Sequence, residues 1–206
     1  MTNKYKLTDD VIVHFDKKLY RIQALKDFGN VKKGDLGGYI EKKDNLNHSG
    51  NAWVSDNARV SGNAWVFDNA RVSGNAWVSD NARVYGDAWV FDNARVSGDA
   101  LVSGNARVYG DAWVFDNARV SGNAWVSGDA WVSGDAIVQS IRDYIVFKNH
   151  WSSGRYFTWT RSNDMWKVGC FYDTGEQLIE KAYKDSEVSG KCYEMYVELV
   201  EQFKKK

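Results

Sequence analysis

One six-residue unit recurs fifteen times without a break, with Ala at position 52 and at every sixth residue to Ala136, and Val two residues after each. A short fixed period of this kind marks a repeat architecture in which neighbouring units share one core. In the strand Ala-x-Val, alternating side chains put Ala and Val on one face and the middle residue on the other. Ala and Val must point inward, because the middle residues include seven Trp (53, 65, 77, 89, 113, 125, 131) and six Arg. A narrow prism could not hold such bulk or charge at native packing density. The triplets between strands, such as Ser-Gly-Asn and Ser-Asp-Asn, supply residues that accept turn and left-handed conformations.

The unit Val54-Ser55-Asp56-Asn57-Ala58-Arg59 resembles the hexapeptide-repeat family, whose chains coil as left-handed parallel β-helices. The expected fold is therefore an all-β, left-handed, triangular parallel β-helix of about five regular coils over residues 49–138. It would carry an N-terminal β cap with degenerate first coils at 1–48, and a small C-terminal α+β unit at 139–206. With three units per coil, strand spacing makes the regular body about 24 Å long. Vertical neighbours are then 18 apart, and the three faces read Trp53, Arg71, Trp89, Arg107, Trp125; then Arg59, Trp77, Arg95, Trp113, Trp131; then Trp65, Arg83, Leu101, Arg119, Ile137. Indole and guanidinium would alternate as cation-π ladders, each contact contributing about 0.5 to 1 kcal/mol. A square coil would instead stack Arg on Arg. At the corners the same rule places Phe67 by Tyr85, Phe91 by Tyr109, and Phe115 over Ser97.

In the N-terminal flank, Val11 to Phe15 and Leu19 to Ile22 read as a hairpin around Asp16-Lys17-Lys18, and Ile40 and Leu46 fall at the Ala position of degenerate end repeats. Tyr5-Lys6-Leu7, Asp27 to Lys32 and Gly37-Gly38-Tyr39-Ile40 look like the opening of bacterial and phage hexapeptide-repeat proteins labelled putative transferases. In the C-terminal flank three strands are expected, Tyr144 to Lys148, Tyr156 to Arg161 and Trp166 to Tyr172, followed by two helices. Thr174 and Gln177 form a capping box starting the first helix near Gly175. In the second helix Cys192, Met195, Tyr196, Leu199 and Phe203 share one stripe, expected to pack on the strands. Lys204-Lys205-Lys206 reads as a solvated helix end.

Lys plus Arg and Asp plus Glu both number 27, so net charge gives no pull toward nucleic acid or anionic membrane. Charge is uneven, however: residues 49–138 hold ten Asp, six Arg and no Lys or Glu, while all 17 Lys lie in the flanks. Neither a membrane span nor a secretory signal is evident, so a cytoplasmic location is expected, the host cytoplasm for a phage-encoded chain. Cys170 and Cys192 are expected to be reduced and buried.

The resemblance to the hexapeptide-repeat family implies acyl transfer through a catalytic His and an acyl-carrier or coenzyme A groove, and so an acyltransferase-like enzyme is the alternative reading. The three histidines, His14, His48 and His150, all lie outside the regular units, and structural or surface roles are expected for them. No catalytic, cofactor-binding or metal site is expected, and no cofactor. Corner Asp residues such as Asp56, Asp68, Asp80, Asp92 and Asp116 raise acidic nucleic-acid mimicry as a further alternative, although corner formation explains them. The reading adopted is a non-enzymatic scaffold that binds a protein, encoded by a phage or prophage and acting on a host defence protein, with homo-oligomerisation through the C-terminal unit or the faces. The candidate partner-binding residues are Trp113, Trp125, Trp131, Phe91, Tyr109 and Phe115, because alternation breaks where Trp113 meets Trp131.

Overall fold

The computed structural model describes residues 3–205. Fifteen two-residue strands, β4 to β18, run from Trp53–Val54 to Ile137–Val138. They stack into three parallel ladders whose partners are 18 residues apart, as in Trp89 with Arg71 and Arg107. The coil is triangular, the three faces carry the residues expected of them, and with its degenerate start the solenoid has about six turns. Every repeat Ala and Val is buried. A fully buried Val contributes about 1.5 to 3 kcal/mol relative to exposure, so the one-residue-wide core gains its strength by repetition.

The corners explain the Asp residues. The second corner residue is left-handed in all fifteen units, and it is either Gly or Asp, with φ 57° at Asp56 and 60° at Asp80. Each such Asp lies one coil before a Gly. The carboxylates of Asp56, Asp68, Asp80, Asp92 and Asp116 accept the amide N–H of Gly74, Gly86, Gly98, Gly110 and Gly134, at 3.0 to 3.3 Å. Beside them the next corner residues form amide ladders: Asn51 donates to Asn69 and Asn69 to Asp87, and the ladders that reach Asp87, Asp99 and Asp111 stop there because a carboxylate cannot donate.

A parallel solenoid has polar ends. Neighbouring coils exchange backbone bonds in both directions, as a parallel ladder does, with Trp53 N donating to Ala70 O of the next coil, so each end leaves both amides and carbonyls to be met. The N-terminal segment supplies donors. Lys4 Nζ reaches Ala52 O at 2.8 Å, Asn45 Nδ2 bonds the carbonyls of Gly62 and Ala64, and the amides of Tyr39, Glu41 and Asn47 bond Ala58, Val60 and Val66. This segment folds as β1 (Tyr5–His14), β2 (Lys17–Ala24) and β3 (Leu36–Ile40), with the tight turn at Phe15-Asp16, both left-handed. Ile40 and Leu46 pair with Val60 and Val66, 20 residues on, and so take the Val place; the first coil is two residues longer than the expected phase allowed.

The C-terminal end receives a donor for one carbonyl, Tyr144 Oη to Trp125 O at 2.9 Å, and acceptors for its amides. Thr158 Oγ1 accepts from Trp131 N (2.9 Å), Ser162 Oγ from Ile137 N (2.6 Å), and Asp143 from Gln139 and Ser140 N. These come from a four-stranded antiparallel sheet, β19 (Tyr144–Lys148), β20 (Tyr156–Thr160), β21 (Met165–Val168) and β22 (Phe171–Asp173). The expected single strand Trp166 to Tyr172 is two, because left-handed Gly169 turns the chain between them. Helix α1 (Gly175–Asp185) starts at Thr174, whose hydroxyl accepts from Gln177 N, and α2 (Glu187–Lys204) starts at Ser186. Both pack on the sheet around Trp159, Trp166 and Phe157. Lys204 is ion-paired with Asp164 and Glu201, so it is not simply solvated, and Lys206 lies outside the described residues.

Two stability predictions follow from the corners and the N-terminal edge. Asp80→Ala keeps a left-handed side chain but loses the bond to Gly98, and urea denaturation should show a loss of about 1 to 2 kcal/mol. Asp80→Gly relieves the backbone and should cost less than the Ala variant. Lys4 is fully buried, and burial first, then Lys26, pushes its pKa down to about 8 from 10.5. The unfolded chain therefore holds more protons between pH 8 and 10.5, and stability should rise with pH through that window. Lys4→Met should abolish that slope in pH-dependent denaturation, while also destabilising the fold by orphaning the Ala52 carbonyl.

Candidate binding cleft

The face bearing Arg59, Trp77, Arg95, Trp113 and Trp131 is bracketed by both caps. At its start the hairpin tip lays Phe15 on Trp77, with ring centroids 5.2 Å apart and planes 14° apart. His14 meets the same indole edge-on. At its far end β20 and β21 stand against the last coil. Tyr172 Oη donates to Ser133 O and crosses the corner at Gly134, where a Cβ would overlap the hydroxyl; this is the last left-handed corner of its column, and Gly there lets the sheet dock.

Between the solenoid and the sheet lies a cleft of about 630 Å³, lined by Trp113, Phe115, Asp129, Trp131, Arg155, Tyr156, Lys167, Gly169 and Cys170. Its floor is aromatic. Trp113 and Trp131 meet edge to face, 5.4 Å between centroids and 79° between planes, rather than as the parallel stack their register suggested. Phe115 lies 5.0 Å from Trp113, and all three rings are half-buried. The edge-to-face arrangement matches the quadrupoles of two indoles that have no guanidinium between them. Arg95 holds the other side of Trp113, 5.7 Å from its centroid, and Trp113 Nε1 donates to Ser97 Oγ.

The rim is cationic. Lys167 Nζ stands 5.2 Å from the Phe115 centroid and 5.9 Å from that of Tyr172, while Arg155 is exposed beside Gly169. Asp129 is the one carboxylate in the lining. Cys170 is exposed at the cleft and Cys192 half-buried, contrary to the expectation of buried thiols, because the first sits at the β21–β22 turn and the second at the edge of the packed helix face.

The structure thus brings together Trp113, Phe115 and Trp131 of the candidate residues. Trp125 belongs to a different face and is exposed there, in a shallow groove of about 760 Å³ with Trp89, Arg71 and Arg107. Arg107 is sandwiched between Trp89 and Trp125, at 6.0 and 5.1 Å, so one complete indole-guanidinium-indole ladder forms. Phe91 stacks on Tyr109 at the corner, 4.9 Å apart and nearly parallel, as Phe67 does on Tyr85. Reading the sequence missed Arg155, Tyr156 and Lys167.

The histidines are occupied elsewhere. His48 stacks on Tyr5, 4.4 Å away, and its Nδ1 accepts from Lys4 N; burial first, then Lys4, Lys43 and Lys26, lowers its pKa. His14 is lowered likewise by burial, Arg59 and Arg95. His150 lies edge-on to Trp151. Among the described residues no group of three His, Cys, Asp or Glu side chains is placed to hold a metal, and no helix is long and apolar enough to cross a membrane.

Six segments, residues 52–67, 64–80, 76–90, 100–116, 112–128 and 118–134, match the family model of the YdcK beta solenoid repeat. The repeat body is a β-solenoid of that repeat family. A search of curated proteins gives no match.

Proposed function

We propose that this YdcK-type β-solenoid is a non-enzymatic scaffold that binds a protein partner in the cleft between Trp113, Trp131 and the C-terminal sheet. The observation that carries the reading is the half-buried aromatic floor. Like other indoles of the rod, Trp113 also meets an arginine and a corner ring, but here the C-terminal sheet faces three rings across a cleft. Large, semi-buried aromatics ringed by polar groups have the anatomy of an interaction hot spot.

The rim defines the partner's chemistry. With Arg155 and Lys167 against Asp129, the cleft suits an apolar or aromatic side chain flanked by a carboxylate, presented on a loop or an extended segment. A phage- or prophage-encoded chain that occupies a host defence protein is one biological setting for such a surface. The rigid solenoid would fix the floor in advance, which lowers the ordering cost of association.

Affinity capture from a lysate of the native host tests this, using wild type beside Trp131→Ala, Lys167→Glu and Trp125→Ala. The partner held by wild type should also be held by Trp125→Ala, which lies on another face. It should be lost with the other two variants, by about thirtyfold in affinity for a hot-spot residue. Equal capture by all four proteins would overturn the assignment of the cleft.

A further inference from the structure

The stripe on α2 does not pack as its spacing suggested. The face that meets the sheet is Tyr193, Tyr196, Val197 and Val200, whereas Val188 (62%), Met195 (60%), Leu199 (37%) and Phe203 (40%) are exposed, with half-buried Cys192 in line between them. At 100° per residue these five fall within one arc of the helix, adjoining the buried arc at Tyr196. The apolar surface of α2 is therefore about twice as wide as its own sheet covers. A continuous exposed line of this kind on a helix of 18 residues marks an association surface.

We propose that this stripe pairs with the same stripe of a second copy, the two α2 helices running antiparallel about a two-fold axis at Met195. The spacing argues for this occupant. The intervals between Val188, Cys192, Met195, Leu199 and Phe203 read nearly the same in both directions. An antiparallel copy sets Val188 against Phe203, Cys192 against Leu199, and Met195 against Met195, so a smaller side chain meets a larger one in the layers on either side of the central methionines. Charge agrees with the same register. Lys191 and Glu198 flank the stripe on the side away from the sheet, and the two-fold brings Lys191 of one copy to Glu198 of the other. Glu198 has no ion-pair partner among the described residues, while Lys191 reaches only exposed Glu187 one turn back. A parallel two-fold would put the Lys191–Glu198 flanks of the two copies on opposite sides of the seam, where they cannot pair. A single helix pair lies at the small end of stable interfaces, so dissociation is expected at about micromolar concentration.

This surface is separate from the aromatic cleft. Its test is sedimentation equilibrium of the full chain up to high micromolar concentration. Wild type should be a dimer that dissociates on dilution, and Met195→Glu a monomer with unchanged circular dichroism, since that side chain is exposed. Lys191→Glu should weaken the dimer about tenfold, and Lys191→Glu with Glu198→Lys should restore it, because the swapped charges still complement each other. The cleft variant Lys167→Glu should dimerise as wild type does, so this test can fail independently of the proposed partner site. A monomeric wild type, a dimer indifferent to Met195→Glu, or a double reversal that stays weak would each overturn the proposal.

Discussion

Each coil of this protein exchanges backbone hydrogen bonds with the coil above, and every other feature depends on that ladder being continuous and then being ended. A parallel stack has no lateral edge around its three faces, but it has two axial ends, each showing backbone amides and carbonyls without partners in the ladder. The flanking segments are chemically matched to those ends. Lys4 and Asn45 bring donors to the first, and Thr158, Ser162 and Asp143 bring acceptors to the second. The corners obey the same economy of hydrogen bonds, since a left-handed Asp both turns the chain and takes up an amide of the coil above it.

The cleft is a by-product of that capping which the protein is positioned to use. To place Thr158 on Trp131 N, the sheet must stand beside the last coil, and its strands then wall off one face with Lys167, Arg155 and Tyr156. The indoles of Trp113 and Trp131, with no guanidinium between them, become the floor. Helix α2, packed on the far part of the same unit, carries an apolar line that its own sheet does not cover. If both surfaces act as proposed, a two-fold pair would present two clefts, and avidity could then compensate for a modest affinity at each.

Repetition made the solenoid legible in the sequence. Two periods, six for Ala and Val and twelve for Trp and Arg, place nearly every side chain of residues 52–138 on its face, including the Phe67–Tyr85 and Phe91–Tyr109 stacks. The break at Trp131 was equally visible. What lay beyond reach depends on contacts that no period encodes. Lys167 and Arg155 share a cleft with Trp113 only because the sheet docks on the last coil, with Tyr172 of β22 over Gly134. The helical spacing of α2 showed which residues share a line but not which side of the line is covered, so Met195 and Phe203 were assigned to the interior although Tyr193 and Val200 fill it. The ladders formed only in part for a related reason, since Trp77 is drawn to Phe15, Trp53 to Tyr5 and Phe28, and Trp65 to Phe67.

The dependence on a capped ladder is tested most directly by amide hydrogen exchange, resolved by residue, on a Thr158→Val, Ser162→Ala chain beside wild type. Removing two acceptors should speed exchange at the amides of Trp131 and Ile137 and their neighbours in the last coil, while the amides of Trp77 and Arg95, held between coils, keep wild-type protection. Unchanged exchange at Trp131 and Ile137, or a uniform acceleration through all coils, would contradict the account.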